Sequence, residues 1–315
     1  MIRIICLNPV IDRMYYIDNF KAAEKFYEIE PQVYVGGKGV NIARVLSIMG
    51  TNCELYTVVG GNNGQMIKTE MQTYRVPMHA IEVTGETRTT INIMDLHNKR
   101  ETEITEAGYP VSEHQEREFL NMLKRDLTQD DIVICSGIPA RGMREDIYKR
   151  ISHICISAAC KCILDTTGSY LKHSFPANYY FSKPNISEIT ELFHEPIENS
   201  QSAIIENGRK MIRMGVQNLL VSLGANGGIF LSDEEVLKAV IPKIEAVSTI
   251  GSGDAAVAGF CIGLNNQWPL EDSVKMAMAC GMSNALSCKV GFVEAETVER
   301  LFRMIKVEEI GKMAI

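Results

Sequence analysis

Short runs that are apolar on both faces alternate along this chain with longer runs whose apolar positions recur every third or fourth residue. Ile2 to Leu7, Glu54 to Val59, Asp131 to Ser136, Cys162 to Asp165, Tyr179 to Ser182 and Asn218 to Leu223 read as buried strands, because a strand covered on both sides shows no polar alternation. Gly39 to Met49, Gly64 to Tyr74, Glu113 to Leu127, Arg144 to Ser157, Ser200 to Met214 and Asp254 to Asn265 read as helices. This alternation predicts an α/β fold, a three-layer α/β/α sandwich around a mostly parallel sheet with right-handed crossovers. Two stretches break the rhythm. Residues 12–34 and 84–105 carry β-branched and aromatic side chains in rough alternation, as in Arg88-Thr89-Thr90-Ile91-Asn92-Ile93-Met94, with no helix of useful length. They are expected to pair into a small β-sheet lid over the carboxyl ends of the main strands, where open α/β sheets bind ligands, on a chain that is otherwise one domain over 1–315. A lid face carrying Tyr15, Tyr16, Ile17 and Phe20 is also a candidate homodimer surface.

Composition narrows the partners. With 315 residues, 46% hydrophobic and 23% charged, there is material for one large core. A net charge of −7, with lysines and arginines scattered, argues against nucleic acid or an anionic membrane and leaves small anions to be captured by specific residues. No apolar run approaches the roughly 18 residues that span a bilayer, and the first strand runs into Asn8-Pro9 without a cleavage-site pattern, so a cytoplasmic protein is expected. The nine cysteines lie mostly in apolar runs and read as reduced core residues. Cys160-Lys161-Cys162 is too tightly spaced for zinc, and the six histidines form no cluster.

The chemistry concentrates in two glycine clusters that open helix-like runs. In Thr249-Ile250-Gly251-Ser252-Gly253-Asp254-Ala255, small residues admit a ligand to the backbone, and the unpaired N–H groups of a first helical turn favour an anion. Asp254 would stand beside that charge, ionised and able to take a hydroxyl proton, since a helix N-terminus favours a carboxylate by roughly 0.3–1 kcal/mol. Together they suggest phosphoryl transfer to an alcohol. The plain alternative is that Ser252 or Asp254 only caps the helix. The second cluster, Gly36-Gly37-Lys38-Gly39-Val40-Asn41, sets one lysine among three glycines, either as a functional cation or as a surface residue in a tight turn.

These two clusters, in this order, resemble the signatures of the ribokinase-like sugar kinases, the PfkB family. The first matches Gly36 to Ala43, followed by Gly50 and Gly60, and the second matches Ser248 to Phe260, with Asp254 at the position of the base. Leu7-Asn8-Pro9-Val10-Ile11-Asp12, Gly85-Glu86-Thr87-Arg88 and Glu101-Thr102-Glu103-Ile104 resemble the branch that acts on phosphorylated ketohexoses, the 1-phosphofructokinases and tagatose-6-phosphate kinases. The resemblance implies a ribokinase-like fold and a kinase that uses ATP and Mg²⁺. Gly251, Ser252 and Gly253 would stabilise the transferred group beside Asp254. Lys38 and Arg88 would bind the substrate's phosphate, and Asp12 and Asn41, near Gly37, its hydroxyls. Arg88 could instead pair with Glu86 or Glu103 on a solvated face, and Asp12 could be a turn residue after Pro9.

For the nucleotide, Lys183-Pro184-Asn185-Ile186-Ser187-Glu188 resembles the family's Asn-x-x-Glu element, in which Asn185 and Glu188 hold Mg²⁺ through water. The same spacing is that of a capping box. Ser222-Leu223-Gly224-Ala225-Asn226-Gly227-Gly228 resembles the ATP turn, with a plain hairpin as the alternative, and Asn284 is carried over as an adenine contact. The branch's Ser-Gly-Ser-Leu-Pro is one residue shorter here, Ser136-Gly137-Ile138-Pro139, at a loop expected to approach substrate. Other readings are a kinase of unphosphorylated sugars or nucleosides, a silent sugar-phosphate sensor, and a dinucleotide-dependent oxidoreductase. The last lacks Gly-x-Gly-x-x-Gly spacing after the first strand.

Overall fold

The computed structural model describes residues 1–198 and 200–312. Its strands begin with β1 (Ile2–Cys6), β2 (Val10–Ile17), β3 (Gln32–Gly36), β4 (Cys53–Val59), β5 (Met78–Glu82), β6 (Thr89–Asp95) and β7 (Arg100–Thr105). They continue with β8 (Ile132–Ser136), β9 (Lys161–Asp165), β10 (Tyr179–Ser182), β11 (Val216–Ser222), β12 (Gly228–Ser232), β13 (Glu235–Val240) and β14 (Lys306–Lys312). The helices are α1 (Lys38–Ile48), α2 (Gly61–Thr73), α3 (Glu113–Asp126), α4 (Ile147–Ser157) and α5 (Gly168–His173). Beyond them come α6 (Ile186–Phe193), α7 (Gln201–Arg213), α8 (Ser252–Asn265), α9 (Leu270–Ala285) and α10 (Ala295–Met304).

The main sheet runs β14-β13-β12-β11-β10-β9-β8-β1-β4-β5. From β11 to β5 every neighbour is parallel, and β12, β13 and β14 add to the far edge antiparallel. The strands apolar on both faces fill the middle: Ile4 of β1 lies opposite Leu55 of β4 and Ile134 of β8. Helices cover both faces and make two cores. One joins α1, α8, α9 and α10 through residues such as Val40, Phe260, Met276 and Leu301. The other joins α3, α4, α6 and α7 through Phe119, Ile151, Ile189 and Met211. This is the three-layer α/β/α sandwich that the hydrophobic pattern predicts. The outermost antiparallel strand escapes the sequence pattern because β14, Lys306–Lys312, mixes four charged residues with two apolar ones and a glycine and has none of the continuous apolar character of a central strand.

The second sheet has the order β3-β2-β6-β7. Asp12 stands opposite Tyr34 and Thr90, and Met14 opposite Gln32 and Asn92, so these residues share one face. The outermost strand, β7, is exposed along its whole length.

Helix α8 is apolar nearly all round, as a helix buried on both sides must be, and every residue from Asp254 to Gly263 is buried. Phe260 stacks on Phe181 of β10 with ring centroids 3.7 Å apart. Gly259 lets α9 approach so closely that a Cβ there would lie 2.8 Å from the Met276 carbonyl carbon. Burying each such aromatic or aliphatic side chain contributes about 1.5–3 kcal/mol, which anchors the helix whose first turn carries Asp254. Among the described residues no helix is long and apolar enough to cross a membrane, and the cysteines are all free.

Candidate active site

A cleft of about 510 Å³ separates the small sheet from the carboxyl ends of the central strands, and Asp12, Lys38, Asn41, Arg88 and Asp254 all line it. Asp254 enters on the first turn of α8 and is buried. Gly251, just before the helix, has φ 78°, in the left-handed region where a Cβ is disfavoured. Neither Ser252 nor Asp254 caps the helix, since Gly251 occupies that position and makes no side-chain cap. Among the described residues, the first-turn N–H groups of Gly253 and Asp254 have no protein partner, whereas the Ser252 N–H donates to the Thr249 carbonyl at 3.2 Å. The anion-binding N–H expected of Ser252 is therefore corrected: the turn that starts the helix consumes it.

Around the Asp254 carboxylate the charges are paired. Asn41 Nδ2 donates to Asp254 Oδ2 at 2.8 Å, and Lys38 Nζ lies 3.6 Å from Asp254 Oδ1 and 3.2 Å from Asp165 Oδ2. Ser136 Oγ donates to the same Asp165 oxygen at 3.4 Å. Lys183, itself buried, brings its Nζ to 3.1 Å from where a Cβ of Gly253 would stand. Burial disfavours the Lys38 ammonium, but Asp165, Asp254 and Glu188 outweigh it and hold its pKa above the ordinary lysine range. Asp165 is pushed up by burial and pulled further down by Lys38 and Lys183, so it stays ionised. Asp254 goes the other way: burial raises its pKa, and the proximity of Asp165 adds to this against Lys38 and the Asn41 hydrogen bond. Two neighbouring carboxylates are thus driven apart, one a fixed anion and the other able to exchange a proton.

The lid wall differs. Asp12 faces Arg88, and burial pushes its pKa from the usual 3.8 to about 6 despite that cation. Burial also lowers the pKa of Arg88. The Arg88 Nε is shut off from solvent with no hydrogen-bond partner among the described residues, and so is the Asn92 Oδ1 on the same wall. Glu86 does not take Arg88; it accepts from the Asn63 N–H instead. Asp12 sits within β2 rather than in a turn.

Gly37 precedes α1 and its carbonyl accepts the Asn41 N–H at 3.0 Å. Gly137 backs the Lys38 side chain, and its N–H donates to the Asp165 carbonyl at 2.9 Å. Asn185 and Glu188 do form the capping box of α6, each side chain bonded to the other's N–H at 2.9 Å, and both line the cleft. Ser222 reaches the cleft from the end of β11, while Gly224 and Gly227 belong to the tight hairpin that joins β11 to β12. Asn284 is 1% exposed, and its amide serves the anion loop: Nδ2 donates to the Ile250 carbonyl at 2.8 Å and lies 3.2 Å from Ser252 Oγ, while Oδ1 accepts the Phe292 N–H at 3.2 Å. This geometry assigns its amide to the loop and not to an adenine ring. Asp165 was not singled out from the sequence. Its signal was there, an acid closing the apolar run Cys162-Ile163-Leu164 at the carboxyl end of a central strand.

A magnesium ion fits the donor set. Glu188 gives one oxygen to the cap and keeps acceptor capacity on its carboxylate, and magnesium retains much of its water shell. Among the described residues no group of three His, Cys, Asp or Glu could hold a metal alone, so the phosphates of a nucleotide would complete its coordination.

The sequence profile of the pfkB family of carbohydrate kinases matches residues 5–293. The chain is 33% identical to a 1-phosphofructokinase of Borreliella burgdorferi, over 98% of this chain and 99% of that one. It is 31% identical to a tagatose-6-phosphate kinase of Staphylococcus epidermidis, over 98% and 100%. Its fold superposes on phosphofructokinase-2 of Escherichia coli, crystallised with potassium, with a TM-score of 0.88 over 96% of this chain and 98% of that one at 19% identity.

Proposed function

The chain belongs to the pfkB family of carbohydrate kinases, and from that premise we propose that it transfers the γ-phosphoryl group of MgATP to a primary hydroxyl of a phosphorylated ketohexose, fructose 1-phosphate or tagatose 6-phosphate, giving a bisphosphate. The observation that carries this reading is Asp254 on the first turn of α8, hydrogen-bonded to Asn41 and set between Lys38 and the free N–H groups of that turn.

Asp254 takes the proton of the attacking hydroxyl as the oxygen–phosphorus bond forms in line with the departing ADP oxygen. The N–H groups of Gly251 and Gly253, with the helix end behind them, stabilise charge on the transferred group, and Lys183 neutralises the phosphates. Asn185 and Glu188 would hold magnesium through water, and the ion would offset the negative charge of the nucleotide. Ser222 and the Gly224–Gly227 turn border the nucleotide. At the other end Arg88 binds the existing phosphate and Asp12 and Asn41 take sugar hydroxyls, while Lys38, expected to share that phosphate, lies between Asp165 and Asp254 with Ser136 and Gly137 behind it. The small sheet acts as a lid that excludes water, which would otherwise accept the phosphoryl group. Tyr15, Tyr16 and Ile17 follow one another in β2 and so do not form the single apolar face expected of them, but Val33 and Ile104 are exposed on the outer face, where a second copy would dock.

The test is ADP release from MgATP with fructose 1-phosphate, tagatose 6-phosphate, fructose 6-phosphate and unphosphorylated sugars, compared as kcat/KM. Preference for one phosphoketose supports the proposal. Activity only with unphosphorylated sugars or nucleosides moves the chain to another branch, and no transfer at all makes it a sensor.

A further inference from the structure

We infer that Arg44 is a positioning residue that fixes which way the Asn41 amide faces and so governs the proton affinity of Asp254. This rests on the reading of Asp254 as the general base.

Arg44 lies mid-way along α1 in the apolar run Ile42-Ala43-Arg44-Val45-Leu46 and is 5% exposed. A guanidinium buried there is strongly destabilising unless its donors are satisfied. All five are. Nε and Nη2 donate to Glu70 Oε1 at 3.2 and 3.0 Å. Nη2 also reaches the Val35 carbonyl at 2.6 Å, and Nη1 reaches the Val290 carbonyl at 3.0 Å and Asn41 Oδ1 at 3.2 Å. Among the described residues Glu70 is the acid that pairs with it. The remaining bonds tie the guanidinium to the root of the lid at β3, to the loop after α9, and to Asn41 one turn back on its own helix.

The bond to Asn41 decides an ambiguity that most asparagines leave open. A guanidinium has only donors, so the amide atom facing it must be the oxygen, which leaves Nδ2 to face Asp254. Without Arg44 only the ionised Asp254 itself opposes a flip of the amide, and that hold is lost once Asp254 takes a proton. Its carbonyl oxygen would then stand beside Asp254, an arrangement favourable only when Asp254 carries a proton. The other charged groups facing Asp254 are Lys38 from α1, Asp165 from β9 and Lys183 after β10, and none of them touches Arg44.

The experiment is the pH dependence of kcat and kcat/KM for the full chain, wild type against Arg44→Met and Glu70→Gln, with a melting temperature for each. The limb that rises with pH belongs to Asp254 if the residual activity of Asp254→Asn lacks it. In Arg44→Met, kcat is expected to fall about tenfold, with the limb moved up by about one pH unit and KM for both substrates little changed. Glu70→Gln removes the ion pair but leaves the Asn41 contact, so it should lower the melting temperature and leave the limb in place. A wild-type limb in Arg44→Met overturns the proposal, and so does an equal shift in Glu70→Gln, which would make the effect one of helix packing. If Arg44→Met does not fold, Arg44→Lys keeps the charge beside Glu70 but lacks the fork that spans to Asn41. It should show the same upward shift, and a wild-type limb there also overturns the proposal. Failure of the wild type to phosphorylate any sugar phosphate would sink the activity reading instead.

Discussion

The two walls of the cleft hold their charges in opposite ways. On the α8 wall, Lys38 lies between two carboxylates, Asn41 bonds Asp254, and Ser136 bonds Asp165. On the lid wall, Arg88 and Asp12 face each other half-buried, with an unpartnered Nε on one and a pKa pushed up to about 6 on the other. The first wall is complete before substrate arrives, which suits groups that must act on developing charge without reorganising. The second is incomplete and would be finished by an anion with hydroxyls, which suits recognition. Under the proposed function, chemistry falls to the paired wall and substrate choice to the lid wall.

The sharpest break would come from Asp254→Asn. It should lower kcat by about 10²–10⁴-fold with small changes in KM and melting temperature, because the hydrogen bond from Asn41 can be kept. An unchanged kcat would remove the distinction between the walls altogether. Next in size, Arg88→Met should lower kcat/KM for a phosphoketose by about 10–100-fold, mainly through KM, with little loss of thermal stability since no hydrogen bond to the protein is lost at Nε. A fall confined to kcat would place Arg88 with the paired wall.

A smaller effect is expected from Asn284→Ala, which unfastens the loop at Ile250 and Ser252. A drop in kcat of about tenfold with KM for ATP nearly unchanged would mark it as a clamp. A rise in KM for ATP alone would instead mark an adenine contact. The mildest prediction concerns Asp12. Its folded pKa lies above the unfolded value, so the native state holds a proton that the unfolded chain releases, and stability contributed by this group falls as pH rises from about 4 to about 6. Asp12→Asn should therefore be more stable than wild type at pH 7 by on the order of 1–2 kcal/mol, since partial exposure screens the full shift, and the gain should shrink as pH falls through that window. Urea melts at several pH values would show it, and a constant difference would mean that Asp12 is not buried as a charge.

Much of the fold was legible because its central strands are apolar on both faces and its helices carry a one-sided pattern. Tyr179–Ser182 was placed to the residue, and Asn218 to Leu223 came within two residues of β11, Val216–Ser222. The outermost antiparallel strand was not legible, because β14, with four charged residues in seven, looks like a solvated segment until a neighbour is there to pair with it. The residues of the cleft and those that support them from behind divide along the same boundary. Lys38, Asn41 and Asp254 stand in glycine-rich clusters whose composition has a local cause. Asp165 and Arg44 do not: one ends an ordinary strand and the other interrupts an apolar helix face.

The sequence by itself determined the layer architecture, the two helix starts and the family, because hydrophobic period and glycine placement act over a few residues and need no distant partner. Only the tertiary structure decided which charges meet. The Lys38–Asp165 contact spans 127 positions and the Asn41–Asp254 contact 213. Whether a carboxylate is a fixed anion or a base depends on burial and on neighbours brought in by the crossovers. The same dependence turned the Ser252 N–H from an anion donor into a turn donor and the Asn284 amide into a brace for the loop, since a buried polar group bonds whatever the fold sets beside it.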